Sequence, residues 1–180
     1  MQNSYPEMDW RTESDMPNYP KYIILHHSAC PDGPGEDFEA IRRYHINVNG
    51  WNDIGYHRVI ERVGGEIVVN QGRAYSVSGA HCPGMNSRSV GICVVGNFET
   101  GQMDEAMKFA VIREVRDQMV RFDIPVENVL MHRTAAQPGH GTACPGRYFP
   151  YNEIIEALKN VDQPPAIKIC PTCGQEIKSY

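Results

Sequence analysis

The chain has 180 residues, of which 41% are hydrophobic and 22% are charged, and its formal net charge is -5. This length fits one globular domain with tails. The acidic balance disfavours non-specific nucleic-acid binding, because such binding needs clustered lysine and arginine. No apolar run approaches the roughly 20 residues of a membrane span, so no membrane partner is expected. The first residues have neither a basic start nor an apolar core, which predicts cytoplasmic synthesis without a signal peptide.

The chain divides into three predicted parts. Residues 1–20 are polar and predict a flexible N-terminal extension, residues 21–160 carry the patterns of a globular domain, and residues 161–180 form a tail. The chain contains six cysteines. Without a secretion signal, free thiols or metal ligands are favoured over disulfides.

Strands and helices alternate along the predicted domain. Short apolar runs predict strands at Tyr22–Leu25, Val90–Gly96 and Val126–Met131, and a hairpin that turns at Gly64-Gly65. Helical spacing predicts helices that begin near Phe38, Asp104 and Tyr151, the first capped by Asp37. This alternation indicates an α/β fold, a mixed central β-sheet flanked by helices.

Histidines follow two of the predicted strands. His26 and His27 end the first strand, and His132 follows the strand at Val126–Met131. Strand side chains alternate between faces, so His26 and His27 cannot both serve one site. One is expected to be functional and the other to pack or hydrogen-bond.

Two imidazoles and a thiolate form a candidate metal site. His26, His132 and the loop residue Cys144 supply donors that suit Zn²⁺, a borderline-soft ion. Three protein ligands leave a fourth tetrahedral position for water, as in catalytic zinc sites. Bound zinc lowers the pKa of such a water to about 7 and polarises carbonyl groups. The chemistry indicated is hydrolysis of an amide or ester.

Four sequence segments occur in the order of a known family: YIILHHSA, GWNDIGYHRVIERVGGEIVVNQGR, GAHCPGMNSRSVGICVVGNF and LMHRT…TACPGRYFP. Over about residues 21–160 they resemble the N-acetylmuramoyl-L-alanine amidases, which include phage endolysins and animal peptidoglycan recognition proteins. The resemblance implies a mixed sheet flanked by helices and zinc on His26, His132 and Cys144. It implies peptidoglycan as the partner.

The resemblance also assigns two catalytic roles. Tyr56, in the motif GYH, is expected to assist catalysis, since a phenol can orient a water or donate a hydrogen bond to an oxyanion. Thr142, two residues before Cys144, can hydrogen-bond an oxyanion but cannot neutralise it. The alternatives are a tyrosine packed on a strand and a hydroxyl bonded to local backbone.

Four further polar side chains have predicted positions. His81 and Asn86, in GAHCPGMN, match family positions that line the substrate groove, and turn formation is the alternative for both. His57 should face the other side of the sheet and have a structural role. His45 is predicted to be a surface residue.

Two features depart from the family pattern. The segment QPGHG lengthens the loop before Cys144 and adds His140, for which substrate contact or no role is favoured over metal binding. Cys170 and Cys173 form a CxxC motif, a possible second metal site. Cys30 and Cys82, or a second chain, would have to complete that site; a redox disulfide or two free thiols are the alternatives.

The leading hypothesis is a zinc-dependent amidase that cuts the bond between N-acetylmuramic acid and L-alanine, in a phage or prophage endolysin released to the cell wall by a holin. One alternative is a non-catalytic peptidoglycan-binding protein. Recognition-only members of the family lose the cysteine ligand, and Cys144 is present. The other is a zinc amidase for a different N-acyl peptide, because pocket shape sets specificity.

Overall fold

The computed structural model describes residues 17–30 and 36–160. Cys170 and Cys173, the predicted tail at 161–180 and most of the predicted extension at 1–20 therefore lie outside the described residues. Within the described part of the chain, no helix has both the length and the apolar character that crossing a bilayer requires.

A five-stranded mixed sheet forms the centre of the domain. Its strands are β1 (Tyr22–His27), β2 (Arg58–Val63), β3 (Glu66–Gln71), β4 (Ser89–Val94) and β5 (Val129–Met131). They lie in the order β3-β2-β4-β1-β5. β1 is parallel to β4 and β5, β2 is parallel to β4, and β2 pairs with β3 in antiparallel register. The predicted mixed sheet is confirmed.

The helices are α1 (Phe38–Asn47), α2 (Glu105–Phe122), α3 (His132–Ala135) and α4 (Tyr151–Lys159). Aspartates cap the two longest of these. The Asp37 carboxylate accepts from Ala40 N at 2.8 Å, and that of Asp104 accepts from Met107 N at 2.9 Å. These contacts satisfy amide groups that the first helical turn leaves without a partner.

The hairpin of β2 and β3 turns where the sequence predicts. Gly64 and Gly65 have φ angles of 58° and 91°. Two consecutive residues with positive φ match the twist of the flanking strands, and glycine adopts that conformation without a steric penalty.

The predicted strand at Val126–Met131 is too long. Val126–Asn128 form a 3-10 turn, in which Asn128 N donates to Pro125 O at 3.0 Å, and only Val129–Met131 pair with the sheet. The Asn128 side chain donates to Lys21 O at 2.9 Å, which ties the turn to the residue before β1. His132 begins α3 instead of ending the strand.

Different elements pack on the two faces of the sheet. Ile23 and Leu25 of β1 belong to the main core beneath α2 and α4, together with alternate residues of β4. Ile24 points to the opposite face, where Cys82 and Met85 pack against it and α1 packs farther along the sheet. The period-two alternation of strands places His26 on this second face.

Candidate metal centre

Strand register brings two histidines together at one sheet edge. Leu25 of β1 lies opposite Met131 of β5 in a parallel pair. The next residues are His26 and His132, and their ring centroids are 4.6 Å apart. Parallel neighbours end at the same edge of a sheet, so this proximity follows from the fold.

Cys144 reaches the same place from the loop that follows α3. Its Sγ lies 3.7 Å from His26 Nδ1. The backbone of Arg133 donates to Cys144 O at 2.9 Å, and the Arg133 guanidinium donates to Gly146 O at 3.2 Å. The helix that begins with His132 therefore also holds the loop that carries Cys144.

The three donor groups fit a single zinc ion. The ligand atoms of His26, His132 and Cys144 all lie within 4.8 Å of one another. Tetrahedral zinc with bonds of about 2.0–2.3 Å places its ligand atoms roughly 3.3–3.8 Å apart. The pair His26 Nδ1 and Cys144 Sγ already has such a separation, so modest side-chain movement would complete the geometry. Their role as ligands stays a prediction.

Burial sets the charge state of these donors. It lowers the pKa of His26 well below the usual value, with neighbouring His81 and His132 adding to the effect, and it lowers the pKa of His132. Both imidazoles are therefore neutral near pH 7, as metal ligands must be. Burial raises the pKa of the Cys144 thiol to about 11, so a metal has to displace its proton.

Tyr56 lies beside the three donors. Its ring centroid is 5.1 Å from that of His26. Burial, followed by the nearby thiol groups of Cys93 and Cys144, raises the pKa of its phenol well above the usual 10. The hydroxyl group therefore keeps its proton at neutral pH and can act as a donor.

Thr142 bonds to the backbone of its own loop. Its Oγ1 accepts from Cys144 N at 3.1 Å, which is the alternative that the sequence left open. Accepting an N–H uses a lone pair of the hydroxyl oxygen and leaves its hydrogen free for another partner. The contact therefore fixes the hydroxyl next to Cys144 and is compatible with the predicted oxyanion role.

His81 and Asn86 share one buried turn. The Asn86 carboxamide oxygen accepts from His81 N and Cys82 N, each at 2.9 Å. The His81 ring is 7% exposed, and its Nδ1 lies 3.0 Å from His26 Nε2. Asn86 thus performs the turn chemistry named as its alternative, and His81 contacts a candidate ligand. Their substrate-binding roles stay predictions.

His45 is half-buried, so the prediction that it is a surface residue holds only in part. Its Nδ1 accepts from Gly55 N at 3.1 Å, and its ring centroid lies 4.6 Å from that of Trp51 and 5.6 Å from that of Tyr56. Burial lowers its pKa to about 4. The chain folds back after α1, and the histidine accepts an amide hydrogen of the segment that carries Tyr56.

His27 and His57 each accept a backbone hydrogen bond, which is the structural kind of role expected for them; the side of the sheet predicted for His57 stays a prediction. His27 Nδ1 accepts from Phe98 N at 3.1 Å on the main-core side. His57 is fully buried, and its Nδ1 accepts from Gly91 N at 3.0 Å. His140 is exposed on its loop and is not among the three clustered donors.

Arg73 is a site-supporting residue that the sequence analysis missed. Its guanidinium is buried and donates to the carbonyls of Ile54 and Ser78, each at 2.7 Å. Its backbone N–H donates to Tyr56 O at 2.9 Å. It therefore links the segments that lead to Tyr56 and to His81. Its place at the end of the hairpin, in NQGR, gave no sign of this contact.

The mixed sheet flanked by helices and the three clustered donors describe an α/β protein with a candidate metal centre. Comparison with known proteins gives its family. The profile of the N-acetylmuramoyl-L-alanine amidase family matches residues 16–147, so the chain belongs to this family. It is 33% identical to peptidoglycan-recognition protein SC2 of Drosophila melanogaster over 149 residues, which cover 79% of this chain and 77% of that protein.

Two further relatives carry amidase names. The human N-acetylmuramoyl-L-alanine amidase is 35% identical over 138 residues, which cover 69% of this chain and 22% of that protein. The solved structure of the endolysin amidase LysCS from Clostridium intestinale superposes with a TM-score of 0.69 and 29% identity, over 86% of this chain and 93% of that chain. The family thus includes amidases and recognition proteins, and the fold is that of its endolysin members.

Proposed function

We propose that this chain is a zinc-dependent N-acetylmuramoyl-L-alanine amidase that hydrolyses the amide between the lactyl group of N-acetylmuramic acid and L-alanine of peptidoglycan. The observation that carries the proposal is the convergence of His26, His132 and Cys144 within 4.8 Å. A set of three ligands leaves one tetrahedral position for water or substrate. When bound there, zinc supplies an acidic water and a Lewis acid for the amide carbonyl.

The surrounding residues have distinct tasks in this proposal. The Tyr56 phenol, held in its protonated form by burial, donates a hydrogen bond to the oxygen on which negative charge develops. The Thr142 hydroxyl, anchored by Cys144 N, offers a weaker second donor. The Arg73 guanidinium holds the segment that precedes Tyr56. The phenol therefore has the same position in the substrate-free and in the substrate-bound protein.

The test is hydrolysis of purified cell walls. The full chain should release free amino termini of L-alanine, and Cys144→Ala should abolish the release by removing a metal ligand. Cys30→Ala is a matched control, because Cys30 lies just after β1 but outside the three clustered donors. Equal activity of the Cys144→Ala and wild-type proteins would contradict the proposal.

Two other functions of the same site would give different results. Zinc binding with peptidoglycan binding and no hydrolysis would identify a recognition protein, as in the name of the Drosophila relative. Zinc-dependent hydrolysis of other N-acyl peptides, with intact cell walls, would identify an amidase of different specificity.

A role as a phage or prophage endolysin that acts on the cell wall is part of the proposal. The superposition with the Clostridium intestinale endolysin amidase supports it. Expression inside a bacterium, with and without a membrane-permeabilising protein of the holin type, tests it. Lysis is expected only when the membrane is permeabilised.

A further inference from the structure

A chain of buried polar groups extends from His26 away from the candidate metal centre. His26 is 1% exposed, His81 is 7% exposed and Ser89 is fully buried. His26 Nε2 lies 3.0 Å from His81 Nδ1, and His81 Nε2 lies 3.4 Å from Ser89 Oγ. Each of these hydrogen bonds joins groups that can either donate or accept. Their direction therefore depends on the partner of the last group, Ser89.

The hydrogen bond of the Ser89 hydroxyl fixes the direction of the other two. Ser89 Oγ lies 2.7 Å from Met85 O. A carbonyl oxygen can only accept, so the one hydrogen of the Ser89 hydroxyl is committed to Met85. Ser89 Oγ can then only accept from His81, and His81 carries its hydrogen on Nε2. The Nδ1 of a neutral His81 is an acceptor, and His26 Nε2–H donates to it.

The outcome is a defined tautomer of His26. With its hydrogen on Nε2, His26 has a lone pair on Nδ1, the atom that faces Cys144 Sγ at 3.7 Å. Metal-bound histidines commonly use one ring nitrogen for the metal and the other for a hydrogen bond that fixes ring orientation. Here the partner is a second histidine, whose own tautomer is set by a serine.

Two glycines hold the His81 ring in this position. A Cβ on Gly79 would lie 2.4 Å from His81 Cδ2, and a Cβ on Gly91 would lie 2.5 Å from the same atom. Real side-chain carbons do not approach so closely, so the ring occupies space that only glycine leaves free. Gly91 interrupts the apolar run of β4, and this packing gives a reason for its presence.

We propose that His81 and Ser89 are positioning residues, which hold His26 as the Nε2–H tautomer and so present Nδ1 to the metal. The inference deepens the proposed function and rests on His26 being a ligand. It assigns His81 to the support of the metal site, in place of contact with substrate. Positioning partners of this kind typically contribute 10- to 100-fold to metal affinity.

The test combines a tautomer measurement with a metal titration on the full chain. Two-bond ¹H–¹⁵N spectra of the metal-free, histidine-labelled protein should show His26 and His81 protonated on Nε2. In Ser89→Ala the single pattern of His26 should be lost, and the zinc dissociation constant should rise roughly 10- to 100-fold. Ser78→Ala is the matched control, because Ser78 is equally buried and its Oγ has no hydrogen-bond partner among the described residues.

Gly91→Ala is the second variant, since the added methyl group displaces the His81 ring without removing a polar group. It should weaken zinc binding as Ser89→Ala does, and it decides the matter if Ser89→Ala does not fold. A wild-type His26 protonated on Nδ1 would overturn the inference, as would unchanged spectra and zinc affinity in the variants. Failure of the wild type to bind zinc would instead contradict the proposed function, and the spectra alone would then decide the tautomer.

Discussion

At the scale of single residues, Tyr56 is the side chain whose chemistry can be isolated most cleanly. It is not one of the three clustered donors, yet its ring lies 5.1 Å from that of His26. Its raised pKa makes it a hydrogen-bond donor throughout the neutral range. In the proposed mechanism, removing the hydroxyl removes one hydrogen bond to the reacting oxygen and leaves the metal donors in place.

Tyr56→Phe is expected to lower kcat roughly 100- to 1000-fold, the usual effect of deleting one oxyanion donor. Zinc content, measured on the same sample, should stay at the wild-type value. Thr142→Val should have a smaller effect, because an anchored threonine hydroxyl is the weaker donor. A Tyr56→Phe protein with wild-type kcat would show that the phenol only packs.

Positions that depend on neighbouring residues could be predicted from the sequence, whereas contacts with distant segments could not. The separation of His26 from His27 follows from strand alternation alone, and the structure puts them on opposite faces. The contacts of His45 were not predicted, because its partner, Gly55 N, is brought to it by the fold of the intervening loop. The helix pattern around His45 contains no information about that return.

At the scale of elements, the Asp37 cap is a local signal that the sequence predicted correctly, whereas the sequence predicted only where the helix at Asp104 begins and not its cap. Asp37 and Asp104 each accept an amide hydrogen of the first helical turn. The strand before His132 was read too long because Val126 and Leu130 are apolar whether they lie in a strand or in a 3-10 turn. The contact of Asn128 with Lys21 O ties the turn to the residue before β1, and that contact is distant in sequence.

Asp104→Ala should lower the free energy of unfolding by about 1 kcal/mol, the typical contribution of an N-cap. Denaturant unfolding followed by circular dichroism measures this change. Glu105→Ala is the matched control: Glu105 is exposed and forms an ion pair with Lys108, so its loss should change stability by less than about 0.5 kcal/mol. Equal losses in the two variants would contradict the capping role. Activity should be unaffected in both, because α2 packs on the face of the sheet opposite to His26.

At the scale of the whole molecule, buried neutral histidines couple folding to pH. His57 is fully buried, and burial lowers its pKa to about 4. In the unfolded chain a histidine titrates near its ordinary pKa of about 6.5. Between these values the unfolded chain binds more protons, so stability falls as the pH decreases through this window.

The metal-free protein should therefore lose stability on going from pH 7 to pH 4.5, with His57 alone contributing on the order of 3 kcal/mol over its full window. Denaturant unfolding at several pH values measures the slope. His57→Gln should flatten it, whereas His140→Asn should not, because His140 is exposed. A slope that is unchanged in His57→Gln would contradict this assignment.

The central claim is that one zinc ion is bound by His26, His132 and Cys144. Anomalous-scattering maps from crystals of the full chain, recorded on both sides of the zinc absorption edge, test it most directly. The account predicts a peak roughly 2.0–2.3 Å from the two imidazole nitrogens and the Cys144 sulfur. The same maps show whether Cys170 and Cys173 bind a second ion. Crystals of zinc-loaded protein with no peak among His26, His132 and Cys144 would contradict the account.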